Sequence, residues 1–385
     1  MPRVLVSHGL AAVGMSLPWP LLLVLVWDRT QSAALLGLTG AARMLPYVLL
    51  SWAAGRVGDA WPRGRVVRAT LLTRVLALAA AAAALATDRL TLAVVGCALA
   101  VALATPAYPA LAAALPDLVT ARRTHSDATK ATELLVTMEV ASFVVGPALG
   151  GVMLLPSLRP AVPSAAVALV AVAAAVLGGL DLPSPSALEQ QVRHRLLREI
   201  RSAGVIGTLV VMSMVNFVVA VVALALVPMA EELWSGSSGT YGIATGVLGF
   251  GALAGPLLGG LGAGHVARVR TGLVAMGLAL VTVAPTPALV WALLPLALVG
   301  AVAVHVEAAA TSILQEAVPD AVRASVLGLA DTTMVGAALL GSLLGPALVE
   351  AAGPRVLLAV VATLAVATAV LLNQRHRLPL ADRIG

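Results

Sequence analysis

Residues 55–68 read GRVGDAWPRGRVVR, four arginines and an aspartate in a chain that is 60% hydrophobic and only 11% charged. An apolar run, 31–54, leads into the stretch, and another, 66–87, leads out of it. Each run reaches the roughly 20 apolar residues that cross a bilayer. The cluster therefore reads as a connection at a membrane surface, and the chain as a membrane protein. Its mean hydropathy of +1.00 agrees. Its charged fraction is less than half of the quarter or so that is usual in soluble domains.

Breaks at charges and turn residues divide the 385 residues into twelve apolar spans: 4–27, 31–54, 66–87, 90–115, 131–155, 160–181, 204–229, 239–263, 268–285, 288–314, 324–350 and 354–373. These are expected to be helices, because open sheets cannot satisfy their backbone in lipid. The first run, 4–27, is too long for a signal peptide and is followed by more spans. The formal charge of +6 does not indicate nucleic acid, since the basic residues lie in the short connections. Eighteen of the 24 Lys and Arg fall on the side that holds both termini, against Arg29, Arg89, Arg159 and Arg355 on the other. That bias places both termini in the cytoplasm. Cys97 is the only cysteine, so no disulfide framework or thiolate metal cluster is expected.

The longest connection, 183–203, reads PSPSALEQQVRHRLLREIRSA. Ser186 with Glu189 makes a capping box. Leu188, Val192, Leu196 and Ile200 share one face, which predicts a basic amphipathic helix on the inner membrane surface. It joins an N-terminal half, 1–182, to a C-terminal half, 204–385. The halves echo each other. GPAL at 146–149 recurs at 345–348, and Pro116-Asp117 recurs as Pro319-Asp320. The 55–68 cluster has a weaker echo, GLGAGHVARVR at 260–270, with no acid in the place of Asp59. A repeat of six spans on six is one way in which secondary transporters are built.

Twelve spans, that repeat and the cluster resemble the major facilitator superfamily. The resemblance rests first on Gly55, Asp59, Arg63 and Arg65, which match its motif between spans 2 and 3. GPALGG at 146–151, with Gly146, Pro147, Gly150 and Gly151, is similar to the span 5 motif of its drug:proton antiporters. ARMLPYVLLSWAAGRVGD at 42–59 and VPDAVRASVLGLAD at 318–331 resemble the macrolide-efflux-like exporters. The chain departs from the pattern at Ala60 and Pro62, and span 4 lacks the arginine common in proton-coupled exporters. The resemblance implies an all-α membrane protein of two pseudo-symmetric six-helix bundles working by alternating access. It implies a latch on the cytoplasmic side at 55–65. It also implies that spans 5, 8 and 11 lie where the halves rock, and that spans 1, 4, 7 and 10 surround the cavity. The bland alternatives are arginines that only set topology and glycines that only pack helices.

Ionisable groups within spans are costly facing lipid and mark candidate functional positions. They are Arg43, Glu139, Glu307 and Asp331, with Glu133 and Arg74 nearer the inner interface. The carboxylates could carry protons or bind a cation, and Arg43 could equally be half of a structural pair. His8 and His305 are more ordinary as structural histidines. Trp19, Tyr108, Met212, Asn216 and Phe217 are the candidate cavity lining implied by the resemblance. A wall of mainly Ala, Val, Leu and Met suits a lipophilic or cationic cargo better than a sugar.

No phosphate-cradling loop, HExxH or nucleophile elbow is present, so neither an ATP-driven pump nor an enzyme is expected, and no metal or cofactor. The expectation is a monomeric, proton-coupled exporter of drug-like compounds or natural products in the cell's inner membrane, with substrate, protons and lipid as partners. An importer of a small metabolite, or a non-transporting sensor or scaffold with the same fold, are the alternatives.

Overall fold

The structure is a computed structural model describing residues 2–111, 114, 135, 138, 142, 145–179, 182, 203–234, 236, 238–260, 264–318 and 320–377. Among them, ten helices are long and apolar enough to cross a membrane. Eleven of the 25 residues of span 5, Glu133 and Glu139 among them, and the whole of 183–202, with the expected surface helix, lie outside the described residues.

The chain divides into two compact units. One holds Met1–Leu35 and Thr39–Leu188, the other Leu36–Leu38 and Glu189–Gly385. The first unit contains α1 (Pro2–Ser16), α2 (Trp19–Thr30), α3 (Ala33–Ala60), α4 (Arg63–Ala86), α5 (Leu90–Ala104), a helical stretch at 145–152 and α6 (Val162–Leu177). Span 1 is therefore two helices rather than one. Pro18 and Pro20 lack the N–H groups that would bond the carbonyls of Gly14 and Ser16, which breaks the ladder. The turns are built from local chemistry. Ser32 Oγ caps α3 by accepting from Leu35 N–H at 3.3 Å. Gln31 (φ 48°) and Asp88 (φ 62°) adopt left-handed conformations at the ends of spans 1 and 3.

Small residues set the packing of this unit. α1 lies on α6, with Gly14 against Val170 and Ala166, and Ser7 Oγ donating to Ala173 O at 2.7 Å. α4 lies on α5, where a Cβ on Gly96 would sit 3.0 Å from that of Ala81. The core between them is mainly Ala, Val and Leu, with Trp19 buried in it. In lipid, close backbone approach of this kind replaces the hydrophobic drive of water-soluble folds.

The second unit contains α7 (Ala203–Glu232), α8 (Ser238–Leu253), α9 (His265–Val283), α10 (Leu289–Ala317), α11 (Asp320–Ala352) and α12 (Pro354–Arg377). α8 carries on into a 3-10 segment at Gly255–Gly260, where Pro256 cannot donate to an α ladder. α7 packs on α11, α8 on α10, and α9 on both α10 and α12. The contacts are again glycine seats: Gly341 and Gly345 on Phe217 and Val221, Gly251 and Gly255 on Ala297 and Ala301, Gly277 on Ala362.

Candidate functional site

Among the described residues singled out in the sequence, Asn216, Glu307 and Asp331 converge. They come from α7, α10 and α11 of the second unit. Asn216 sits inside α7 with its Nδ2 donating back to Met212 O at 3.0 Å, which fixes the amide plane. From there the amide hydrogen-bonds the half-buried Glu307 carboxyl. Asp331 is exposed, yet close enough to Glu307 for the two carboxylates to repel. The amide and the two carboxyls stand together on otherwise apolar helices, where such groups are costly unless they serve a purpose. The two carboxyls can hold a cation, while the amide orients Glu307. Met212 is buried and Phe217 half-buried, and the Phe217 carbonyl lies under Gly341. His305, close to Glu307 in sequence, is buried instead against Gly272 of α9.

In the first unit the candidates are spread out. Arg43, on α3, is half-buried and donates from Nη2 to Ser16 Oγ at 3.2 Å, at the break in span 1. Trp19 is 1% exposed and so packs in the core. Tyr108 is half-buried with its ring 6.1 Å from that of His8. Around them Ser7, His8 and Arg74 are all buried, and Arg74 Nη2 donates to Ala104 O at 3.1 Å. This cluster was visible in the sequence only as scattered polar residues. Its members come from spans 1, 3 and 4, and no local spacing links them.

The 55–68 motif has a shorter turn than the sequence suggests. α3 runs on through Ala60, so Gly55 and Asp59 stand on its last two turns, and only Trp61 and Pro62 separate it from α4. Beyond their place on this helix, nothing of Gly55 or of the Asp59 side chain lies within the described residues. Arg63 is 2% exposed at the first position of α4, whereas Arg65 is exposed. The span 5 motif is seated on span 1. A Cβ on Gly146 would strike Ser16, and one on Gly150 would strike the Leu17 carbonyl. Gly151 is buried and Pro147 half-buried beside them. Among the described residues, no group of His, Cys, Asp or Glu is arranged to hold a metal ion.

Long apolar helices packed through glycines, with carboxyls held inside them, define a multi-pass membrane protein of the transporter kind. The chain belongs to the Major Facilitator Superfamily, whose sequence profile matches residues 4–338. No curated protein sequence matches it. Solved structures similar to it include a D-xylose-proton symporter, with TM-score 0.71 and 14% identity, covering 96% of this chain and 95% of that one. The human organic anion transporter MFSD10 gives 0.70 and 18%, covering 96% and 98%. The nucleoside transporter NupG gives 0.67 and 15%, covering 97% and 99%. At these identities the likeness is one of fold.

Proposed function

We propose that the chain is a proton-coupled secondary transporter that exports lipophilic or cationic small molecules by alternating access. In this reading it is a monomer of twelve spans in two six-helix halves, with both termini cytoplasmic, in the cell's inner membrane. The observation that carries it is the Glu307–Asp331 pair with Asn216 beside it. Such a group is expensive to keep in an apolar helix and is suited to exchanging a proton for a cation. The span 5 motif at 146–151 supports export, and the mainly aliphatic helices support a lipophilic cargo. Glu139 and Arg43 are further coupling candidates, and Asp59 with Arg63 and Arg65 the latch.

The test is transport into inverted vesicles under an imposed pH gradient, with ethidium, a macrolide and a nucleoside as probes. Gradient-driven uptake of ethidium or the macrolide is expected. It should fall at least about tenfold in Glu307→Gln, as for loss of a proton-transferring group, and less in Asp331→Asn. Uptake that ignores the gradient, or that survives both substitutions, would remove the pair from the mechanism. Transport of the nucleoside alone, in the opposite direction, would make the protein an importer.

A further inference from the structure

The polar cluster of the first unit borders a small cavity. Ser7, His8 and Arg74 line it together with apolar residues that include Val67 and Leu71. The space open to a water-sized sphere is ≈ 10 Å³. A buried water needs roughly 10–15 Å³ on this measure, so one water fits and nothing larger does. The three polar residues are buried, Ser7 at 2%, Arg74 at 4% and His8 at 6% exposure. Bulk solvent therefore hardly reaches them.

The hydrogen bonds that these residues make decide what a ligand here must do. Ser7 Oγ gives its proton to Ala173 O at 2.7 Å. That leaves the Ser7 oxygen able only to accept. Arg74 Nη2 donates to Ala104 O at 3.1 Å. A guanidinium has five N–H donors and no acceptor. A molecule between Arg74 and Ser7 must accept from the first and donate to the second. A halide ion cannot donate. A metal cation cannot accept, and Arg74 repels it. Water does both, and its second proton suits the accepting nitrogen of a neutral imidazole at His8. Three hydrogen bonds result, the usual number for a buried water.

We propose that this cavity is the site of one structural water held by Ser7, His8 and Arg74. The water completes a chain of hydrogen bonds from Ala173 O through Ser7 and Arg74 to Ala104 O. The chain runs from α6 through α1 and α4 to the end of α5, so one molecule ties four spans of the first unit together. Polar links between helices add to close packing as a source of association in lipid. The inference does not depend on which molecule is carried or in which direction.

The experiment is radiolytic hydroxyl labelling of the protein in nanodiscs, read by mass spectrometry. A water fixed beside a side chain labels it even where bulk solvent is excluded. Leu71 lines the cavity and is 3% exposed, whereas Leu78, two turns further along α4, is 2% exposed and lies away from it. Leu71 should label several-fold faster than Leu78. Val67→Ile adds one carbon to the cavity wall and keeps a β-branched residue in the helix. It should abolish the difference in labelling. It should also lower the thermal unfolding temperature in detergent by a few degrees, because an apolar group cannot replace the hydrogen bonds of an ordered water. In a dry cavity the same carbon would fill space and raise that temperature. Equal labelling of Leu71 and Leu78 would overturn the proposal, as would a Val67→Ile variant more stable than the parent. If that variant fails to fold, labelling of the unaltered protein decides alone.

Discussion

Arg63 and Arg65 stand two residues apart and are used differently. Both were legible in the sequence as motif positions, but the burial of Arg63 was not, because a helix start after Pro62 sets its direction and sequence spacing does not. Truncating a long, buried side chain removes packing as well as charge, at a cost of about 1–3 kcal/mol, so Arg63→Ala should lower the thermal unfolding temperature in detergent. Arg65→Ala, at an exposed position, should stay within about 0.5 kcal/mol of the parent. Equal effects in the two variants would mean that burial is not what distinguishes them. At the same motif, Asp59→Asn is expected to leave membrane insertion intact and to impair transport. Full transport by that variant would leave the loop only a topological part. The Asn216–Glu307–Asp331 group was legible residue by residue, since ionisable groups in apolar runs announce themselves. Its assembly was not, because it depends on how three helices rotate against one another.

The glycine rows teach the same lesson for helices. Gly146 and Gly150 in span 5, Gly251 and Gly255 in span 8, and Gly341 and Gly345 in span 11 stand four residues apart in the sequence, which does not say what each row packs against. Span 5 seats on span 1, span 8 on span 10 and span 11 on span 7, each within its own unit. Packing inside a unit is thus one use of every row. Gly150→Ala would push a methyl into the Leu17 carbonyl, and Gly300→Ala one into the Leu248 carbonyl. Overpacking of this kind typically costs about 1–3 kcal/mol. Gly328, on α11, has nothing within 4 Å of where its Cβ would be. There, Gly→Ala should stabilise by about 0.5–1 kcal/mol. Unfolding of the three variants in detergent checks both signs at once. The break in span 1 was half legible: the SLPWP stretch at 16–20 carries both prolines, but its apolarity hides a joint inside what reads as one continuous span.

For the molecule as a whole, hydropathy and the placement of arginine reveal a membrane protein before any coordinate is known, because lipid imposes its rules on every span. A green fluorescent protein fused after Gly385 should fluoresce, and an alkaline phosphatase fused after Ala161 should be active, if both termini are cytoplasmic. The reverse pattern would invert the topology. Two of the arginines on the sparse side, Arg29 and Arg159, face Asp88 and Asp28. Their charge is thereby offset on the side where the bias disfavours it. The change of ladder in span 8 also has a bearing on bilayer thickness. Sixteen α-helical residues reach about 24 Å, short of a hydrocarbon core of about 30 Å. The six residues of the 3-10 segment rise about 2 Å each and add about 12 Å, where an α-helix would add about 9 Å. The tighter winding thus gives this span extra reach, so in a thicker membrane α9, whose 19 residues rise only about 29 Å, would feel hydrophobic mismatch before it.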